Sequence, residues 1–251
     1  MRVLLTNDDG INAKGIKTLY NHFKPLGEVY VVAPERERSA SGHGITVHKP
    51  LRANEIEEHQ FAVSGTPADC VKIALEALLP TPPDLIISGI NLGANLGTDV
   101  LYSGTVSAAI EGILANIPSI AISLLSQSKN ASFNTAATVA VRLCKLLVNK
   151  RFPTDTLLNV NVPDSSLEDL MGLKVTTLGK RRYKNSIEER KDPRGNSYYW
   201  LGGKVENIVA RDDTDVTAVA KNYVSVTPVH FDLTNYSIMD QIKDWDLNKL
   251  L

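Results

Sequence analysis

Up to Pro163 the chain alternates two kinds of segment, and that alternation limits the fold more than anything else in the sequence. VLLT (3–6), VYVVA (29–33), LIIS (85–88) and IAISL (120–124) are apolar at nearly every position. Strands exposed on one face would alternate polar and apolar residues; continuous apolar runs belong to strands covered on both faces. Between them, helix-period stretches are expected near Ala13–Phe23, Pro67–Leu79, Gly104–Asn116 and Ser132–Asn149; the last places Ala136, Ala140, Leu143, Leu146 and Leu147 along one face. Further strands are expected at Phe61–Val63 and Leu157–Val162. Strand–helix alternation of this kind gives an α/β fold, a mostly parallel sheet with helices on both faces and right-handed crossovers.

After Pro163 the pattern changes. Residues 173–205 read as strands and turns with a basic tip, GKRRYK (179–184), and a Pro-Arg-Gly-Asn turn at 193–196. YVSVTPV (223–229) carries another strand signal, and a short helix is expected around 238–247. The chain is therefore divided into a catalytic core, 1–163, and a hairpin and tail, 164–251, that pack on the core or on a second subunit.

In open parallel sheets ligands bind beyond the carboxyl ends of the strands. The first strand is followed by Asn7-Asp8-Asp9-Gly10, the second by APERERSASGHG (33–44), and the strand at 85–88 by a long loop of small and polar residues, SGINLGANLGTDVLYSGTVSAAIEG (88–112). Adjacent carboxylates repel unless a cation lies against them or one is protonated. Carboxylates with Ser and Asn oxygens suit hard divalent cations, so Asp8 and Asp9 are expected to bind a divalent metal completed from the second and third loops. The competing reading is that one of them caps the following helix. From the second loop, Ser39 and Ser41 are equally placed. Ser103, Gly104 and Thr105 open an Ala-rich helix and so offer main-chain N–H groups and hydroxyls to an anion. Metal and anion cradle together imply phosphate-ester hydrolysis by an activated water.

Other classes fall away. There is no GxxxxGK[ST] and no GxGxxG after the first strand. The 27 basic and 28 acidic residues give a net charge of -1, which argues against a nucleic-acid polymer or a membrane as partner. Cys70 and Cys144 suit a reducing cytoplasm, and no apolar stretch reaches the ~18 residues of a membrane span. Adjacent rather than alternate carboxylates count against an aspartyl-phosphate intermediate, and a phosphoacceptor receiver would need an acidic residue where Ser64-Gly65-Thr66 follows the strand at 61–63. A nucleotide-binding module without turnover is the remaining alternative.

Taken in order, NDDG (7–10), APERERSASGHGIT (33–46), SGTPADCV (64–71), SGINLGANLG (88–97), YSGTVSAAIEG (102–112), NVNVP (159–163) and YVSVTP (223–228) resemble the SurE family of survival-protein nucleotidases. The resemblance implies a Rossmann-like core and a metal-dependent 5'/3'-nucleotidase acting on nucleoside monophosphates, in some members also on polyphosphate. One divalent ion per subunit, Mg²⁺ or Mn²⁺, would be held by Asp8, Asp9, Ser39 and Asn91; phosphate would meet Asn95, Ser103, Gly104 and Thr105. Asn7 and His43 would stand behind these. No Asp or Glu sits near enough in sequence to His43 to orient it. The resemblance also implies a homodimer or homotetramer formed through the C-terminal hairpin and tail. Asn222 replaces the family's usual glycine before YVSVTP; Asn tolerates the left-handed region, so the turn is expected to persist.

Overall fold

The computed structural model describes the chain except residues 129, 151, 185–186, 208–210 and 251. In chain order the core elements are β1 (Arg2–Thr6), α1 (Lys14–Phe23), β2 (Glu28–Pro34), β3 (Ala53–Glu57), β4 (Gln60–Val63), α2 (Pro67–Ile73), β5 (Leu85–Leu92), α3 (Gly104–Leu114), β6 (Ser119–Leu125), α4 (Asn134–Asn149) and β7 (Leu157–Pro163). They are followed by β8 (Leu173–Val175), β9 (Arg181–Lys184), β10 (Ile187–Lys191), β11 (Ser197–Leu201), β12 (Lys204–Asn207), α5 (Asp215–Ala220), β13 (Val224–Val229) and α6 (Met239–Lys243).

The main sheet runs β3-β4-β2-β1-β5-β6-β7-β13-β8. From β4 through β7 neighbouring strands are parallel, β3 closes one edge antiparallel to β4, and β13 lies antiparallel to β7. The apolar runs are explained by where their side chains go. Val3 and Leu5 of β1 enter one core layer with Ile16, Leu19 and Phe23 of α1 and with α4, whereas Leu4 between them enters the opposite layer with Cys70, Val71 and Ala108 of α2 and α3. Both cysteines are buried free thiols. Among the described residues, no helix is long and apolar enough to cross a membrane.

Three expectations need correction. β5 continues past Ser88 through a register irregularity to Leu92, so the third loop begins later and Asn91 stands on the strand's end. The helix expected over 67–79 is α-helical only to Ile73, with a wider turn over Ala74–Leu78 ahead of Pro80. The division at 163 cuts through the sheet: β8 and β13 belong to it, and only β9–β12 and the tail stand apart. Strand β3, charged and exposed as edge strands tend to be, gave no apolar signal. Asn222 does adopt the left-handed region, φ 60, and turns the chain into β13.

β13 sits between β7 and β8 with Val224 fully buried, so the sheet is incomplete without it. A chain ended after His230 is expected to unfold in one cooperative thermal transition, whereas one ended after Asn222, which uncovers the apolar edge of β7, is expected to aggregate on expression. Size-exclusion chromatography and calorimetry of the two truncations distinguish these outcomes.

Candidate metal and phosphate site

The first loop is shaped by Asn7. Its side chain, fully buried, accepts from Gly10 N (3.2 Å) and donates to Gly10 O (2.9 Å). This closes a tight turn with Asp8 and Asp9 at its apex. Gly10 has φ 96, and a Cβ there would lie 3.1 Å from the Arg36 main chain, where the second loop crosses. That loop is docked by Arg38 N, which donates to Asp8 O (2.7 Å), and by the Arg38 guanidinium on Ser64 O (3.0 Å). Arg38 thus braces the second loop at both its main chain and its side chain.

Asp8 is 4% exposed, and its Oδ1 accepts from Thr105 Oγ1 at 2.6 Å. Asp9 Oδ2 accepts from Leu92 N at 3.2 Å. Neither carboxylate caps α1, whose N-terminus at Ala13 has no side-chain cap, so the capping alternative fails. Burial raises the Asp8 carboxyl above its usual range. Burial and the neighbouring Asp8 charge push Asp9 up to about 6. Two neighbouring carboxyls whose charged forms are both disfavoured by their surroundings fit a position that takes a cation.

Asp8, Ser39, Asn91, Asn95 and Ser103 line one cleft of ≈ 960 Å³. Ser39 Oγ donates to Glu37 (2.7 Å), leaving its lone pairs to the cleft. Asn91 donates its amide to Gly93 O (2.6 Å), which assigns its carbonyl oxygen to any cation. Ser41, which the sequence could not separate from Ser39, has a buried hydroxyl with no hydrogen-bond partner. A Cβ on Gly104 would lie 3.1 Å from that hydroxyl and 3.0 Å from Asp8 Oδ2, so the N-terminus of α3 runs directly against both. Asp8, Asp9, Ser39, Asn91 and the orphaned Ser41 hydroxyl near Asp8 offer only oxygen donors, a chemistry that fits a hard divalent ion. Among the described residues, no group of three or more His, Cys, Asp or Glu offers an alternative metal centre.

The anion cradle differs in detail from expectation. Ser103 caps α3 by accepting from Val106 N (3.1 Å), leaving its hydroxyl proton free for the cleft. The hydroxyl of Thr105, fully buried, is committed to Asp8, so Thr105 can offer an anion only its main-chain N–H. Asn95 is locked from behind: its N donates to Asn161 Oδ1, its O accepts from Asn159 and Asn161, and its amide donates to Ser123 Oγ (2.8 Å). His43 does have an acidic partner, contrary to expectation. Its Nε2 lies 2.8 Å from Glu111, which is buried on α3 and also faces Lys72 at 3.6 Å. Glu111 is 68 residues away in sequence, beyond any local pattern. Asn159, Asn161, Ser123 and Glu111 went unread; the alternating Asn-x-Asn inside an otherwise apolar β7 was the available signal.

The model of the family described as survival protein SurE matches residues 3–185. The chain belongs to the SurE family. Among its relatives, the 5'-nucleotidase SurE of Heliobacterium modesticaldum is 53% identical over 250 residues, spanning 98% of this chain and 92% of that one. The protein of the same name from Carboxydothermus hydrogenoformans is 54% identical over 253 residues, spanning 98% and 96%. The crystal structure of the SurE protein from Aquifex aeolicus superposes with a TM-score of 0.87 at 45% identity, covering 97% of this chain and 99% of that one. The SurE fold therefore extends through the hairpin and tail, past the end of the match at 185.

Three outcomes test the site. Because folded Asp9 titrates near 6 and an unfolded Asp near ~3.9, metal-free protein should lose stability as pH rises through that interval and level off above it. Asp8→Asn should raise metal-free stability and abolish the rise in Tm on adding Mn²⁺. Thr105→Val, which removes the bond orienting Asp8, should weaken Mn²⁺ binding by roughly 10-fold or more in titration calorimetry.

Proposed function

We propose that this chain is a divalent-metal-dependent phosphomonoesterase that releases phosphate from nucleoside 5'- and 3'-monophosphates, with short polyphosphate as a second substrate class. The observation that carries this reading is the approach of α3 to Asp8: the N-terminus at Ser103-Gly104-Thr105 abuts the Asp8 carboxylate, close enough that a Cβ on Gly104 would lie 3.0 Å from Oδ2. Asp8, Asp9, Ser39 and Asn91 would hold the ion, Mg²⁺ or Mn²⁺, with Ser41 as a further oxygen. When bound, the ion supplies charge to polarise a phosphoryl oxygen and lowers the pKa of the attacking water.

The chain's own groups do the rest. The α3 N–H groups and the Ser103 hydroxyl face the phosphoryl oxygens, where negative charge grows as the new P–O bond forms and the ester bond breaks. Asn95, rigid in its network with β6 and β7, lines the same cleft, and the second N–H of its amide is the group it has left to donate to a phosphoryl oxygen. The cleft volume of ≈ 960 Å³ exceeds what free phosphate needs and suits a whole nucleotide.

We also propose that a second copy of the chain is a partner, as homodimer or homotetramer. Phe231, Leu233, Tyr236 and Trp245 in the tail are 46%, 86%, 66% and 61% exposed, more apolar surface than a free tail would leave in water. The buried free thiols suit the cytoplasm.

With AMP and Mn²⁺ the protein should release phosphate, and a chelator should stop it. Asp9→Asn should lower turnover at least about 100-fold, since the ion contributes several kcal/mol to the transition state. Rapid-quench labelling should find no phosphate on the enzyme; a labelled Asp8 would establish the aspartyl-phosphate route instead. Sedimentation should give a multiple of the chain mass, reduced by Trp245→Glu.

A further inference from the structure

The β9–β12 hairpin stands apart from the main sheet, yet its residues Tyr183, Leu201, Gly202 and Gly203 line the same cleft as Asp8 and Ser103. Something must fix this arm relative to the catalytic end. The loop between β5 and α3 does so, over Gly97–Tyr102, immediately before the phosphate cradle.

The fixing group is a carboxylate that no reading of the sequence picked out. Asp215, the first residue of α5, is fully buried. Its Oδ2 accepts from Gly97 N at 2.7 Å, and its Oδ1 accepts from Gly179 N at 2.9 Å and from Val216 N at 2.8 Å. One carboxylate thus joins the catalytic loop, the root of the hairpin and the segment leading to β13. The join is close: a Cβ on Gly97, φ 53, would lie 2.3 Å from Gly179 O. Further along, Thr98 Oγ1 donates to Arg181 O (2.9 Å), Asp99 takes an ion pair from Arg181, and the Tyr183 hydroxyl lies close enough to the Asp99 carboxylate to feel its charge. Tyr183, 43% exposed, thus stands on an arm tied down on both sides of it and lines the cleft.

We propose that Asp215 is a positioning residue that locks the hairpin onto the phosphate end of the cleft, and that the Tyr183 ring it places there is the stacking platform for the nucleoside base. This rests on the phosphohydrolase reading above and adds where the non-reacting half of the substrate is held. The chemistry is specific. All three partners of Asp215 are N–H donors, so Asp215→Asn sets an NH₂ against at least one of them and leaves buried donors unpaired. A base stacked on an aromatic ring is held without reading its edge, which gives a platform tolerant of purines and pyrimidines alike.

The test compares AMP with ribose 5-phosphate, which lacks only the base, both with Mn²⁺, and uses inorganic phosphate as inhibitor to report on the catalytic end alone. Tyr183→Ala is expected to lower the kcat/KM preference for AMP over ribose 5-phosphate by about 10-fold, the effect of ~1.4 kcal/mol of lost stacking, while phosphate inhibition changes less than about 2-fold. Tyr183→Phe, which keeps the ring, is expected to recover most of that preference. Asp215→Asn is expected to raise KM for AMP with the same sparing of phosphate inhibition. Should Asp215→Asn fail to fold, the half-exposed Tyr183 variants still decide the platform, and Asp99→Asn, which releases the arm nearer the rim, decides the lock by the same KM measurement. An unchanged AMP preference in Tyr183→Ala overturns the platform. A parallel loss of phosphate inhibition in Asp215→Asn or Asp99→Asn overturns the positioning role. Wild-type protein that hydrolyses neither ester overturns the reaction reading and this one with it, whereas wild-type turnover with unchanged selectivity in the variants overturns this one alone.

Discussion

Two neighbouring carboxylates at the end of a buried strand are an electrostatic burden that the surrounding structure is arranged to bear. Asp8 is almost wholly out of water, and both Asp8 and Asp9 are driven toward the protonated form. A fold optimised only for stability would not keep them. The supporting features follow from that burden: Asn7 shapes the turn, Thr105 donates to Asp8, Arg38 pins the second loop, and α3 directs the positive end of its dipole at the pair. The Thr105 bond relieves part of the cost to Asp8 directly, and the turn and the docked loop hold the pair in place.

Much of the sheet was legible because β1, β2, β5 and β6 are covered on both faces and must be apolar throughout. Their order and the convergence of three loops at one edge followed from parallel connectivity. The edge strand β3 was hidden because its charged, exposed residues serve against aggregation rather than packing. The continuation of β5 to Leu92 was hidden because Gly89, Asn91 and Gly93 carry the signature of a loop while the backbone keeps its ladder to β6. β8 and β13 were read as an appendage, since their strand signals are short and separated by the hairpin.

The site divided in the same way. Asp8 and Asp9 announce themselves by adjacency, and the α3 entrance by its run of small residues. Partners contributed from far away in sequence did not: Glu111 for His43, Asn159 and Asn161 for Asn95, and Asp215 for Gly97 are visible only after the chain is folded. Thr105 shows why residue type alone misleads. A hydroxyl at a helix N-terminus suits an anion, but here a carboxylate inside the protein claims it first.

The placement of β13 bears on when in its synthesis the protein acquires function. The residues proposed to meet the ion and the phosphate all lie within the first half of the chain, but Asp215, which ties the hairpin to Gly97, and the strand that completes the sheet come from its final forty residues or so. A ribosome that has already released all the chemistry still holds an unfinished enzyme, so an interrupted message yields fragments without a formed cleft.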